Sequence, residues 1–373
     1  MTSGERLSGQ EVVNKDKIIQ LTKDFIMIPS VKGNNEAIDM TLSLAKKELD
    51  GFAVEEFVEP SSGTKSLLFF NTGRRPENFR ILLNGHLDVV SAMPEQFNPY
   101  IADGKLYGRG SSDMKAAATV ELLVFKHLAQ GLLYPIGLQL VTDEETGGFN
   151  GTGYQVKQGV RANLVISGES TELDINNERK GVLVLELTTH GKSAHAAYLY
   201  QGDNAVVKMA RFITDLSEAF PIPVEEEWIT TLNIAGIYTQ NNEHNKVPDK
   251  ATALLDFRHI PLDTKDNLRK KVKDLAPDET DLFTFKEGVA PYTDPNHPDL
   301  VLLSKCIESV TGKPAKFIRK SGSSDSRHFA EFGSTTIDFG PRGVGLHTDV
   351  EYGDIESYTQ YAQILTQFLT RIK

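Results

Sequence analysis

His86 and Asp88 stand one residue apart in Gly85-His86-Leu87-Asp88, directly after the apolar run Ile81-Leu82-Leu83. A short apolar run of this kind reads as a buried strand, so an imidazole and a carboxylate leave the chain together at a strand end, where α/β folds place their ligands. Further acidic groups sit at comparable junctions: Asp113 in Gly-Arg-Gly-Ser-Ser-Asp-Met-Lys, Glu144-Glu145 between Leu138-Gln139-Leu140-Val141 and Gly147-Gly148, and Glu169 in Ser-Gly-Glu-Ser. His347 in Gly-Leu-His-Thr-Asp-Val-Glu-Tyr adds a second imidazole. These groups are enough to ligate two divalent ions. Converging carboxylates repel one another unless cations neutralise them, so four of them in one place imply metal.

Each group also has a plainer reading. His86-Leu87-Asp88 could be a surface pair, Asp113 could cap a helix that begins near Met114, and Glu144-Glu145 could be an acidic loop. The position of His86 after a buried strand favours a ligand. The Asp88 carboxylate, two residues on, is suited to accept the second ring N–H of His86 and so fix the tautomer that faces a metal. His328 competes with His347 as the last ligand. His347 is preferred because it follows a predicted strand and a Gly-Pro turn, whereas His328 lies on a predicted helix.

The elements that must position these residues fall into three segments. To about residue 178, strands at Phe79 to Asn84, Ile136 to Thr142 and Leu164 to Ser167 and a helix at Met114 to Gln130 give an α/β rhythm. Residues 179–290 read strand (Val182 to His190), helix (Asp203 to Phe220), two strands (Thr230 to Tyr238, Ala251 to Arg258), helix (Thr264 to Leu275) and strand (Asp281 to Glu287). That order is the ferredoxin-like β-α-β-β-α-β unit. Residues 291–373 resume the α/β rhythm with a helix near Leu300 to Val310, a strand near Thr335 to Phe339 and a closing helix with Ile355, Tyr358, Ala362, Leu365 and Leu369 on one face. All proposed ligands lie in the outer segments, so the middle unit reads as an insertion into one catalytic domain.

Composition narrows the function. The chain has 373 residues and a formal net charge of -11, with no basic stripe, which argues against a nucleic-acid partner. Its start has no apolar leader core and no run of about 18 apolar residues occurs, so secretion and membrane insertion lack support. The single cysteine, Cys306, can form no internal disulfide and sits in an apolar helical pattern. A buried thiol and a cytoplasmic location are the expectations.

Taken together, Gly85-His86-Leu87-Asp88, Gly108-Arg109-Gly110-Ser111-Ser112-Asp113-Met114-Lys115, Asp143-Glu144-Glu145-Thr146-Gly147, Gly168-Glu169-Ser170 and His347 with Glu351 resemble, in this order, the acetylornithine deacetylase, succinyl-diaminopimelate desuccinylase, aminoacylase and glutamate carboxypeptidase family of co-catalytic zinc amidohydrolases. The resemblance spans nearly the whole chain. It implies an α/β/α zinc-peptidase-like catalytic domain with an inserted lid and dimerisation domain, two zinc ions, and a homodimer. It further implies that Asp113 bridges the ions, that Glu145 and His347 complete one site and His86 and Glu169 the other, and that Glu144 is the general base. A cis peptide at Asp113-Met114 also follows from it.

The residue types suit that chemistry. Two cations held by N and O donors lower the pKa of a shared water and polarise a carbonyl, cobalt and manganese fitting the same donors as zinc. Glu144 is suited to move the proton from water to the leaving amine. In the middle unit, His195 matches the histidine that relatives send across a dimer interface to the tetrahedral intermediate. Asn245 in Asn-Lys-Val-Pro-Asp and Arg258 in Asp-Phe-Arg match substrate-binding lid motifs, and the paired donors of Arg258 suit a carboxylate. Arg179, Tyr198, Gly322, Ser323 and Arg327 look like substrate contacts of desuccinylases. The expected substrate is an N-acyl amino acid. Ser170 and Ser326 depart from the desuccinylase pattern and leave an acetylornithine-type deacetylase, a dipeptidase or carboxypeptidase acting on short peptides, or a catalytically silent metal-binding regulatory module as alternatives.

Overall fold

The computed structural model describes residues 13–372. They form two compact units: one of the described residues up to Asn177 with Thr293–Arg319 and those from Ser324 onward, the other of Glu178–Tyr292 with Lys320–Ser323.

The first unit is built on an eight-stranded mixed sheet in the order Ala53–Val58, Lys65–Phe70, Ile136–Val141, Phe79–His86, Ala162–Ser167, Thr335–Asp338, Ile175–Arg179, Phe317–Lys320. Phe79–His86 lies at its centre, parallel to both Ile136–Val141 and Ala162–Ser167. Parallel strands are covered on both faces, and successive side chains point to opposite faces. Leu67, Phe69, Leu83, Leu164 and Ile166 therefore join one core with the helices Lys15–Ile26, Lys115–Leu128, Pro298–Thr311 and Ile355–Arg371. Leu68, Phe70, Leu82 and Val165 join the opposite core with Val156, Val160 and Phe329. Predominantly apolar runs, with single buried polar residues such as Gln139, are thus the signature of this three-layer α/β/α packing. Phe368 is fully buried in the larger core. Phe368→Ala is expected to cost about 3–5 kcal/mol, seen as a lower urea midpoint at unchanged slope.

Two helices, Lys15–Ile26 and Asn35–Glu48, and the hairpin Ala53–Val58/Lys65–Phe70 precede the first strand expected from the sequence. Ala53–Val58 is an edge strand of alternating half-buried and exposed residues, and Glu55-Glu56 split its apolar signal. A second small sheet, Gly343–Val344, Tyr352–Asp354, Lys105–Tyr107, Tyr100–Ala102, was also missed. Strands of two or three residues have no period to detect.

The other unit holds an antiparallel sheet in the order Thr231–Tyr238, Lys250–His259, Gly181–His190, Thr280–Gly288. Leu183, Leu185, Leu187, Ala253, Leu255 and Phe257 bury one face against Met209, Phe212 and Leu216 of helix Ala205–Ala219 and against Leu268 and Val272 of helix Lys265–Leu275. This is the β-α-β-β-α-β order. Cys306 is buried and unpaired. Among the described residues no helix is long and apolar enough to cross a membrane.

Candidate metal centre

His86 closes the central strand, Asp113 ends the loop before helix Lys115–Leu128, Glu144 and Glu145 lie in a tight turn after strand Ile136–Val141, and Glu169 follows strand Ala162–Ser167. His347 belongs to the loop between the short strands Gly343–Val344 and Tyr352–Asp354. Asp113 is not a helix cap. Met114 takes that position and no side chain caps the helix, while the Asp113 carboxylate faces two imidazoles: Oδ1 lies 3.0 Å from His86 Nε2 and Oδ2 3.2 Å from His347 Nε2. Glu145 Oε2 is 3.0 Å from His347 Nε2, and Glu169 Oε1 is 3.9 Å from His86 Nε2. The result is two three-residue groups, His86/Asp113/Glu169 and Asp113/Glu145/His347, with Asp113 common to both and the donor atoms of each within 4.8 Å of one another. The peptide Asp113-Met114 is cis.

Pairing of Tyr352–Asp354 with Lys105–Tyr107 brings Glu351 beneath the Asp113 loop. Its Oε1 accepts the backbone N–H groups of Gly110, Ser112 and Asp113 at 3.0, 2.8 and 3.0 Å, and its Oε2 accepts from the Arg109 guanidinium at 2.5 Å. In the sequence Arg109 and Glu351 stand out only as members of motifs. Their partnership spans more than two hundred residues, and no local pattern announces it. Lys115 was missed as well. Its buried ammonium donates to the carbonyls of Phe25 (2.8 Å) and Ile28 (2.7 Å), tying the first helix to the loop, and burial pushes its pKa down to about 7.

The structure corrects the role read for Asp88. Its carboxylate was expected to accept from the ring of His86, but His86 Nδ1 instead lies 2.9 Å from the Asp88 main-chain carbonyl, with the carboxylate at 3.6 Å. The Asp88 oxygens accept the amides of Glu144 (3.3 Å) and Glu145 (3.0 Å). Those N–H groups lie in a turn that offers them no backbone acceptor, and an unmade bond to a buried amide costs more than an oriented ring gains. The backbone carbonyl orients the imidazole equally well.

The electrostatics match an acid cluster built around cations. Burial pushes Glu144 well above the ordinary carboxylate range, reinforced by Glu169. Burial also raises Glu145 to about 7 and Asp88 to about 6. Burial pulls His86 down, but its bond to Asp113 and the charge of Asp88 outweigh that and raise it. Against its own burial, Asp113 is held well below the usual range by His347 and His86. Two imidazoles and three carboxylates, with one carboxylate shared, fit a pair of divalent ions in type and number. A ligand must shed its proton before it can bind a metal. Because Glu145 titrates at about 7 and the His86 pKa is raised, metal affinity is expected to rise as pH goes from 6 to 8 with proton release on binding, which calorimetry in buffers of different ionisation heat checks. An affinity flat over that range is the contrary result.

The other predicted residues are dispersed. His328 lies on helix Arg327–Ala330 with its Nε2 3.3 Å from the Gly147 carbonyl, not among the two groups. The Arg327 guanidinium donates to the carbonyls of Ser324 and Gly147. Arg179, His195, Tyr198, Asn245, Arg258, Gly322 and Ser323 all belong to the second unit. There Arg179 donates to the Gly322 carbonyl at 2.7 Å, Arg258 pairs with Asp256 at 3.0 Å, and exposed His195 accepts the Ala197 amide through Nδ1 at 3.1 Å, its ring 5.8 Å from that of Tyr198. Asn245 is exposed and its carbonyl accepts the Ala196 amide.

Residues 82–371 match the model of peptidase family M20/M25/M40. The chain belongs to this family. As an M20 peptidase it is a metal-dependent amidohydrolase. Curated relatives include succinyl-diaminopimelate desuccinylase of Cupriavidus necator, 27% identical over 95% of this chain and 98% of the relative, and that of Gluconacetobacter diazotrophicus, 28% identical over 95% and 96%. The M20 fold recurs in solved structures: aminopeptidase PepT of Bacillus cereus has a TM-score of 0.76 at 17% identity, covering 96% of this chain and 98% of that one. A dinuclear metal-binding M20 peptidase of Bacillus subtilis gives 0.68 at 13%, covering 95% and 97%.

Proposed function

We propose that this M20 enzyme hydrolyses the amide bond of an N-acyl amino acid whose acyl group ends in a carboxylate, N-succinyl-diaminopimelate being the first candidate. The observation that carries the reading is the pair of ligand groups sharing Asp113, with Glu144 next to Glu145 in one tight turn. His86, Asp113 and Glu169 would hold one zinc ion and Asp113, Glu145 and His347 the other. When bound, the ions polarise the scissile carbonyl and make water acidic.

The protein's own part is proton movement and positioning. Glu144 takes a proton from the attacking water as the C–O bond forms and returns it to the amine nitrogen as the C–N bond breaks, leaving a carboxylate and a free amine. Burial and the neighbouring Glu169 raise the Glu144 pKa and so make it a stronger base than an ordinary carboxylate. Asp88 holds the Glu144 and Glu145 amides, so base and ligand keep a constant offset. Recognition of the carboxylate end is assigned to the second unit, where Arg179, Arg258, Asn245, Tyr198, Gly322 and Ser323 supply donors, with His195 acting on the oxyanion. That unit is read as a lid and dimerisation module. Phe283 and Phe285, 62% and 66% exposed on its edge strand Thr280–Gly288, support a homodimer. The single unpaired cysteine favours a cytoplasmic location.

The test is kcat/KM of zinc-reconstituted protein on N-succinyl-diaminopimelate, N-acetylornithine and dipeptides. The expected result is a preference of roughly tenfold or more, about 1.4 kcal/mol, for the succinyl substrate. Preference for dipeptides would overturn it.

A further inference from the structure

The turn that bears Glu144 is tied to its surroundings on two sides. On one side Asp88 accepts its amides. On the other stands the segment Ser324–Phe329. Gly147 N–H donates to the Glu144 carbonyl at 2.7 Å and Gly148 N–H to the Asp143 carbonyl at 2.8 Å. Both glycines have positive φ, +105° and +61°. The Gly147 carbonyl, turned outward by this geometry, accepts from the Arg327 guanidinium and from His328 Nε2. Arg327 also donates to the Ser324 carbonyl at 3.1 Å, so one planar fork joins the turn to its own segment. The Asp325 carboxylate packs against Gly148, where an added Cβ would lie 1.7 Å from Oδ1, and accepts the Thr152 hydroxyl at 2.6 Å. Arg327 and Asp325 are 7% and 1% exposed.

We propose that Arg327, with Asp325 on Gly148, is a positioning device for the general-base turn rather than a contact to substrate. The guanidinium fixes Gly147, and Gly147 fixes the Glu144 backbone through its N–H. A near-rigid base matters because a misplacement of about 1 Å costs roughly 10²-fold in rate. Arginine suits the task, since a lysine ammonium cannot present two donors in one plane.

The kinetic part of the proposal rests on the hydrolase reading given above, and the test separates the two. In Arg327→Gln, kcat is expected to fall roughly 10²-fold with KM little changed, equally for succinylated and acetylated substrates. Arg327→Lys restores only part. Zinc content stays as in the wild type. Amide hydrogen exchange in the peptide covering residues 143–148 becomes faster in Arg327→Gln, a readout that needs no substrate and stands even if the wild type turns over none of the panel. Gly148→Ala disturbs the same contact from the turn side. Because it adds strain at positive φ, it is paired with Gly148→Ala/Asp325→Ser, in which the clash is relieved and part of the kcat returns. A rise in KM confined to the succinylated substrate, with exchange at 143–148 unchanged, would overturn the proposal and make Arg327 a substrate contact.

Discussion

Glu144→Gln is expected to lower kcat by roughly 10²- to 10⁴-fold, the usual contribution of a positioned general acid–base, while leaving KM and bound metal close to the wild type. The reason is geometric. Glu144 and Glu145 are adjacent in one tight turn, yet only Glu145 shares a group with His347 and Asp113. The Glu144 carboxyl is raised first by burial and then by Glu169, which is how a carboxyl facing an acid cluster behaves. Glutamine has the same shape and leaves the Asp88 bonds to the turn intact, but it cannot carry a proton. Glu145→Gln is the matching control, and should lose metal affinity together with activity. If Glu144→Gln lost metal and Glu145→Gln did not, the two roles would have to be exchanged.

The second large effect is structural. Glu351→Ala should destabilise the protein by about 3–5 kcal/mol, the cost of breaking a buried ion pair, and reduce metal binding with it. Three backbone N–H groups of the Asp113 loop and the Arg109 guanidinium all end on this one buried carboxylate. Removing it orphans the three amides and leaves the Arg109 guanidinium with the Thr348 carbonyl at 2.9 Å but no charge partner, and unpaired buried donors are costly. Glu351→Gln should fall between, since its remaining oxygen still accepts the amides while Arg109 loses its charge partner. Urea denaturation of the metal-free protein gives the stability term, and metal titration shows the coupling. A small stability change in Glu351→Ala would mean that the loop is held by something other than this carboxylate.

The parts of the site legible in the sequence were those at ends of strands that are buried on both faces. His86 and Glu145 follow runs whose apolar character is forced by the two helical layers, so their positions could be read without the fold. Glu169 and Asp113 were readable from motif order. What was not legible depends on long-range pairing. Glu351 meets the Asp113 loop only because two three-residue strands pair, and strands that short leave no pattern. The wrong atom was chosen at Asp88 for a related reason: spacing shows that a carboxylate is near, but not that two amides of a distant turn compete for it. The bonds of Arg327 to the Ser324 and Gly147 carbonyls were likewise not legible, because motif position says nothing about which carbonyl a guanidinium reaches. In the second unit the alternation of Lys250–His259 made the fold plain, whereas the solvent-facing side chains assigned to recognition carry no periodic signal.

The most direct measurement is metal stoichiometry. Purified protein stripped by chelator and titrated with zinc, with content read by atomic emission after removal of free ion, should bind two ions per chain. His86→Ala should reduce this to one, and Asp113→Ala should weaken both sites together, because Asp113 belongs to each group. A wild-type value of one, or an Asp113→Ala protein that still binds two ions with undiminished affinity, would contradict the shared-carboxylate centre.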